Sequence, residues 1–265
     1  MADWDPELYR RFGRYRAEPF DHILSRLTLR PDDRIIDFGC GTGENTIALA
    51  RRVDHGHAIG VDSSPAMITK ARDLRANLEP ALQARVDFVA GDFANFVAES
   101  AYSLVFSNAA LQWARDHRTV LARWFAALAR DGRLVVQMPS NHHETAQTTL
   151  GELAAAPDWR DLLGDLQTPS HVVSSPDDYR TMLAAIGFIN VDCYYTTFHH
   201  PMAHPAAIVE FCRATAMRPF LDRLPATRHP AFISEFTRRL EAAYATTGPL
   251  IFNFRRLFLW AQRPS

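Results

Sequence analysis

The feature that most constrains this chain is the stretch "RIIDFGCGTGENT", Arg34 to Thr46. A short apolar run leads directly into glycines at alternate positions, Gly39, Gly41 and Gly43, and then into residues with helical spacing. The alternation of strand and helix continues to Met138. "HAIGVD", "RVDFVAGD", "YSLVFSNAA" and "GRLVVQM" read as the second to fifth strands. "SPAMITKARDLRANL" reads as a helix capped by Ser64 with Pro65 in its first turn. "RTVLARWFAALARD" reads as a helix that stops at Gly132. Strands separated by helices at this interval imply right-handed crossovers and a parallel sheet covered on both faces.

After Pro139 the rhythm changes. Residues 141–174 are helical or irregular and too long for a simple loop. "SPDDYRTMLAAIGF" has a cap, a first-turn proline and a stop at Gly187, and "INVDCYYTTFHHPM" reads as a strand. "HPAAIVEFCRATAMRPFLDRL" and "HPAFISEFTRRLEAAYATT" read as amphipathic helices, and "LIFNFRRLFLWAQR" as a final strand. The expected organisation is an N-terminal helical segment over residues 1–30 and a ligand-binding core over 31–140. Residues 141–174 and 204–247 would form a helical cap, and 175–203 with 248–265 the rest of the core sheet.

Each glycine lets the backbone pass close to a ligand, and the helix that follows offers free N–H groups. A dinucleotide fingerprint would place a small residue at position 44, and a phosphate-binding loop would end in Lys. This chain has Glu44 and no lysine there. Asp37 and Glu44 flank the loop and disfavour a diphosphate, while suiting a ligand that carries an ammonium or sulfonium group. Asp62 ends the second strand, where a carboxylate accepts from both hydroxyls of a ribose. Asp92, in "GDF", is placed to accept from an exocyclic adenine amine, with Phe93 beside the ring, and Asn108 to flank the ligand's amino-acid end. Taken singly, each has a plain structural reading as a turn or cap. Their order along successive strand ends points to an adenosyl ligand without a diphosphate.

The formal net charge of −1 gives no reason to expect a nucleic-acid or membrane partner. The three cysteines, Cys40, Cys193 and Cys212, have no metal-ligand spacing and read as reduced thiols of a cytoplasmic protein. No signal-peptide pattern opens the chain, and no apolar run reaches the ~20 residues that span a bilayer. No metal is expected, because adjacent His199 and His200 face opposite ways in a strand.

These residues resemble the class I S-adenosylmethionine-dependent methyltransferases. "DFGCGTG" resembles the family's first motif, "VDSSPAMI" its ribose-binding acidic turn and "GDF" its adenine-binding turn. A closer resemblance runs over nearly the whole chain, to the enzymes that methylate trans-aconitate. It is carried by "DWDPELYRRF", "SNAALQW" followed by "DH", "VQMPSN", "TTFHHPM", "RPFL" and "FRRLF". The resemblance implies a seven-stranded Rossmann-like sheet whose last strand is antiparallel, with a helical cap. It implies S-adenosylmethionine as methyl donor, S-adenosylhomocysteine as product, and Ser63, Met67, Ala109 and Trp113 beside the donor. Departures from the family's usual wording around Arg218 and Arg256 fall where selectivity for the acid would be set.

A carboxylate acceptor is ionised at neutral pH, since free carboxyls titrate near pH ~4, so no general base is required. Orientation and exclusion of water would carry catalysis. A small polycarboxylate needs cationic partners, for which Arg218 and Arg256 are candidates through bidentate pairing. The alternative for Arg256 is an internal carboxylate. Tyr9 and Arg16 on the N-terminal segment, and Trp113, His117, Gln137 and Asn141 after the fourth and fifth strands, complete the expected acceptor site. His117 serves equally to start a helix. Other acceptors remain open, among them a natural-product or carrier-bound carboxylate or a hydroxyl, as does a non-catalytic adenosyl sensor. A monomer or a homodimer is expected.

Overall fold

The computed structural model describes residues 13–97, 102–164, 166, 173–213, 215–244 and 250–265. Among these the sheet has seven strands: β1 (Arg34–Phe38), β2 (His57–Asp62), β3 (Val86–Ala90), β4 (Tyr102–Asn108), β5 (Leu128–Pro139), β6 (Ile189–Met202) and β7 (Leu250–Gln262). Their order is β3-β2-β1-β4-β5-β7-β6. The β2–β1, β1–β4, β3–β2 and β4–β5 pairs are parallel. β7 runs antiparallel, as the resemblance implies. Its direction is written in the register: Arg263 N donates to Gly132 O and Ser140 N donates to Arg255 O, so one partner climbs as the other descends. The point where strand order reverses lies between β1 and β4, the place where open α/β sheets bind ligands.

Local chemistry sets the helices that frame this edge. α1 (Gly13–Arg26) precedes β1, and α2 (Glu44–Ala50) begins at Gly43, whose φ of 88° an L side chain rarely adopts. α3 (Pro65–Ala76) is capped by Ser64, which accepts from Met67 N, with Pro65 in the first turn as expected. A single turn, α4 (Pro80–Gln83), leads to β3. α5 (His117–Ala127) is capped by Asp116, which accepts from Thr119 N at 3.0 Å. It ends at Ala127, five residues before the expected stop at Gly132. The chain instead enters β5 at Leu128, and a register shift between Tyr102 and Leu104 absorbs the extra residues. Gly132 is needed there because a Cβ would lie 2.9 Å from Tyr102 O.

By backbone contacts the chain divides into two units. One comprises residues 20–138, 174–196 and 257–265 and holds β1 to β4, most of β5, and the core around Ile36, Leu104, Val105 and Val135. Trp124 lies flat against Phe38 there, centroids 5.0 Å apart. α8 (Pro176–Ile186) belongs to this unit and carries a full capping box between Ser175 and Asp178, with Gly187 at its end.

The other unit comprises residues 1–19, 139–173 and 197–256. Its helices are α6 (Thr145–Ala154), α7 (Arg160–Leu163), α9 (Pro205–Arg213), α10 (Arg218–Arg223) and α11 (His229–Ala243). Leu150, Trp159, Ile208, Phe211, Phe220, Phe232, Phe236, Leu240 and Phe252 form its core. The stretch His204–Leu224, read as one helix, is two. Pro219 lacks an N–H and sits in the first turn of a new helix, the position that tolerates it.

Asp33 anchors the entry to β1. It is buried, accepts from Arg30 N at 2.8 Å, and pairs with Arg133. Asp33→Ala leaves the Arg30 amide unpaired and the Arg133 guanidinium with the Thr28 carbonyl alone, and should lower the unfolding free energy by about 1–3 kcal/mol in a urea titration. A loss within ~0.5 kcal/mol would show that solvent replaces both contacts.

Candidate active site

The glycine loop is laced to the strands on either side. Gly39 N and Cys40 N both donate to Val61 O, at 2.7 and 3.1 Å, so the loop continues the pairing with β2 before turning away. All three glycines have positive φ, 76°, 56° and 88°. A Cβ at Gly39 would come within 2.1 Å of Ala110 Cβ, and one at Gly43 within 2.5 Å of the Phe88 ring, whereas Gly41 faces open space. The loop therefore leaves room on its outer side for a ligand and none on its inner side.

Asp62 serves this geometry directly. Its Oδ2 accepts from Gly41 N at 2.9 Å and its Oδ1 from Ser64 N at 2.8 Å, which fixes the carboxylate between the loop and the start of α3. Each oxygen keeps a further lone pair for a hydroxyl. Ser63 is exposed at this turn and Met67 half-buried on α3. Asp92 is exposed and orders its own turn, accepting from Ala94 N and Asn95 Nδ2 at 2.9 Å each. Phe93 packs edge-on against Trp124, centroids 6.0 Å apart.

Asp37 is the buried acid of the loop. Its one described partner is the Thr46 hydroxyl, which donates to Oδ2 at 2.6 Å. Burial pushes its carboxyl up to about 7, with the Thr46 hydrogen bond opposing and the Asp62 charge adding to the rise. Cys40 is buried and its thiol is driven up by burial and by the charges of Asp37 and Asp62, so it is an inert packing group.

After β4 the chain turns through Ala109 at φ 57°, a left-handed conformation for a non-glycine residue. Ala109 N donates to Gln137 O at 2.9 Å and Gln112 Nε2 donates to Ala109 O at 2.7 Å. Asn108, Gln112 and Gln137 are thus assembled about one residue, with Asn108 opposite Gln137 in the β4–β5 register. Trp113 stands outermost, 58% exposed, in the short 3₁₀ turn Leu111–Trp113. His117 starts α5, buried, with Nδ1 bonded to the Tyr179 hydroxyl, and burial lowers its pKa.

The other unit carries the remaining candidates. Arg256 is buried on β7, its guanidinium 4.2 Å from the Phe254 ring centroid. Arg218 begins α10, half-exposed, with Nε 3.7 Å from Asp222. Arg255 is half-buried and donates through Nε to Ser140 O at 2.9 Å. Asn141 is buried with Nδ2 unpartnered. His200, a candidate base only if the acceptor were a hydroxyl, is buried and stacked on Tyr15 at 4.2 Å, its Nδ1 3.5 Å from Glu18 Oε2. Burial, then Arg256 and His199, pull its pKa down to about 4, so it is neutral at pH 7. Tyr9 and the Arg16 side chain lie outside the described residues. No metal-binding cluster and no membrane-crossing helix occurs among the described residues.

The family model described as "Methyltransferase domain" matches residues 29–186. Two full-length relatives named trans-aconitate 2-methyltransferase, from Paracidovorax citrulli (strain AAC00-1) and Variovorax paradoxus (strain S110), are each 38% identical over 99% of this chain and 99% of their own. Among solved structures, the Bacillus YcgJ protein is similar with a TM-score of 0.62 at 17% identity, covering 94% of this chain and 99% of its own. A Haemonchus contortus phosphoethanolamine N-methyltransferase solved with S-adenosylhomocysteine gives 0.59 at 17% identity, covering 94% of this chain and 53% of its own.

Asp37 generates a pH signature. An acid whose folded pKa lies near 7, above its unfolded value near ~4, binds more protons folded than unfolded in that window, so stability falls as pH rises through it. Asp37→Asn removes this slope. The stability of the ligand-free variant relative to the parent should rise between pH 5 and 8, by up to ~1.4 kcal/mol per pH unit. Melting curves that stay parallel across that range would place Asp37 as an ordinary ionised carboxylate.

Proposed function

This chain belongs to the class I S-adenosylmethionine-dependent methyltransferases, in company with relatives named trans-aconitate 2-methyltransferase, and on that premise we propose that it esterifies one carboxylate of trans-aconitate. The observation that carries the reading to this acid is full-length similarity at 38% identity to proteins of that name, combined with a buried arginine on β7. S-adenosylmethionine supplies a methyl group on a positively charged sulfur. The loop's residues fit that ligand: a Cβ-free passage at Gly39 and Gly41, a fixed carboxylate at Asp62, and acidic Asp37 and Glu44 in place of phosphate-binding donors.

The chain's residues then have these roles. Asp62 holds the ribose hydroxyls, and the turn at Asp92 and Phe93 borders the adenine. Asp37 gains a reason to ionise when positive charge arrives beside it, since an opposite charge lowers a carboxyl's pKa. Asn108, Ala109 and Trp113 border the methyl-bearing end. Arg218 and Arg256 bind the carboxylates that do not react, and His117, Gln137 and Asn141 line the acceptor side. Tyr9 and Arg16 belong to the same proposal. No residue acts as a general base, because the acceptor is already ionised at neutral pH. The work of the protein is alignment and removal of water.

The proposal extends to a cytoplasmic protein, monomeric or homodimeric, with a small carboxylic acid as partner and neither nucleic acid nor membrane.

Methyl transfer from labelled S-adenosylmethionine across trans-aconitate, cis-aconitate, citrate, isocitrate and monocarboxylates tests this directly. Trans-aconitate should be preferred, and Arg256→Ala should lower kcat/KM by about 10²-fold or more, since a desolvated charge pair lost on one side costs several kcal/mol. Arg218→Ala, half-exposed, should cost about tenfold, chiefly in KM. Donor binding with no turnover of any polycarboxylate would refute the acid while leaving the family standing.

A further inference from the structure

Gln137 is fully buried, and neither its Nε2 nor its Oε1 has a hydrogen-bond partner among the described residues. Asn108 Oδ1 and Gln112 Oε1 are orphaned in the same way, and Gln112 is 5% exposed. Gln112 is not ambiguous in orientation: its amide nitrogen donates to Ala109 O, so the orphan is an acceptor oxygen. A buried polar atom without a partner costs about 1–3 kcal/mol, so four in one place is expensive for a structure with no ligand to satisfy them. Their location is the C-terminal edge of β4 and β5, around a turn whose Ala110 abuts Gly39 of the donor-binding loop. All three side chains are uncharged.

The lack of charge has a reason in the reaction. A carboxylate oxygen forms a bond to the methyl carbon, the bond from that carbon to sulfur breaks, and its electron pair stays on sulfur. No proton moves. The negative charge of the carboxylate and the positive charge of the sulfonium both vanish along this path. A guanidinium on the reacting carboxylate would bind the starting charge more tightly than the transition state, which slows the step. A neutral amide gives orientation with a much smaller penalty. Arginines are suited to the carboxylates that keep their charge throughout.

We propose that Asn108, Gln112 and Gln137 form an uncharged amide patch at the reacting atoms, with the Gln137 amide seating the reacting carboxylate of the acceptor and so determining which carboxyl is methylated. The Gln137 amide nitrogen donates to that carboxylate. The Asn108 and Gln112 oxygens can only accept, so they turn negative dipole ends to the positive side of the reacting pair. The proposal rests on the carboxylate-methylating reading above and adds to it the identity of the groups at the reacting atoms.

The test compares Gln137→Met and Gln112→Met, changes that keep the side-chain volume, with the parent protein. Three quantities are read: the ligand-free melting temperature, the dissociation constant of S-adenosylmethionine, and kcat and KM for trans-aconitate. Removing an orphaned buried amide should raise the ligand-free melting temperature of Gln137→Met by ~2–5 °C. It should also lower kcat/KM for the acid at least tenfold while donor affinity stays within threefold. A melting temperature that falls would show that the amide is satisfied inside the fold. Acid kinetics within twofold of an active parent in both variants would overturn the seat alone. A parent that methylates no carboxylate would overturn the seat and the function together.

Discussion

The ligand edge depends on how closely the backbone after β1 passes the turn after β4. At Gly39 there is no space for even one carbon, since a Cβ would overlap Ala110 Cβ at 2.1 Å. Gly43 is pressed against Phe88 from β3 in the same way, and Asp62 at the end of β2 holds Gly41 N. Three strands therefore converge on the five loop residues Gly39–Gly43. A loop fixed on its inner side by packing and hydrogen bonds has little freedom left to lose, so less of the binding free energy goes into ordering it.

The parts that sequence reveals are those whose causes are local. The Ser64 cap with Pro65, the capping box from Ser175 to Asp178, and Gly187 as a stop all act within a single turn. The bounds of β6 and β7 follow from β-branched and aromatic runs that no helix period interrupts. The glycine loop and Asp62 are legible for the same reason, being a motif in which spacing determines the fold. The end of α5 at Ala127 is not legible, because the early switch to strand depends on pairing between Leu128 and Tyr102, 26 residues earlier. Arg255 reads as solvated from its own strand, yet its partner is the Ser140 carbonyl, set by the antiparallel register of β7.

The amides at the strand ends were legible only in part. Asn108 and Gln137 stand where topology puts ligand-facing residues, but Gln112 lies in the string "SNAALQW", where only Asn108 and Trp113 stand out by residue type. Its significance comes from a buried amide oxygen with no partner among the described residues, a property of the fold that no spacing expresses. His200 is similar: in sequence it is one of a pair of strand histidines, and in the fold it is a buried neutral ring against Tyr15 while His199 bonds to Asn253 at the surface.

Charge is distributed along the chain by the chemistry each stretch meets. Acidic residues cluster at the glycine loop, where burial raises the Asp37 carboxyl to about 7. Arginine is buried on β7, where aromatic Phe254 supplies a face for the guanidinium. Between these extremes in chemistry stand the neutral amides, matched to a step that erases both charges. Solved structures at 15–19% identity keep this fold, so the sheet is compatible with many sets of side chains, and the choice of acceptor rests with the side chains it carries.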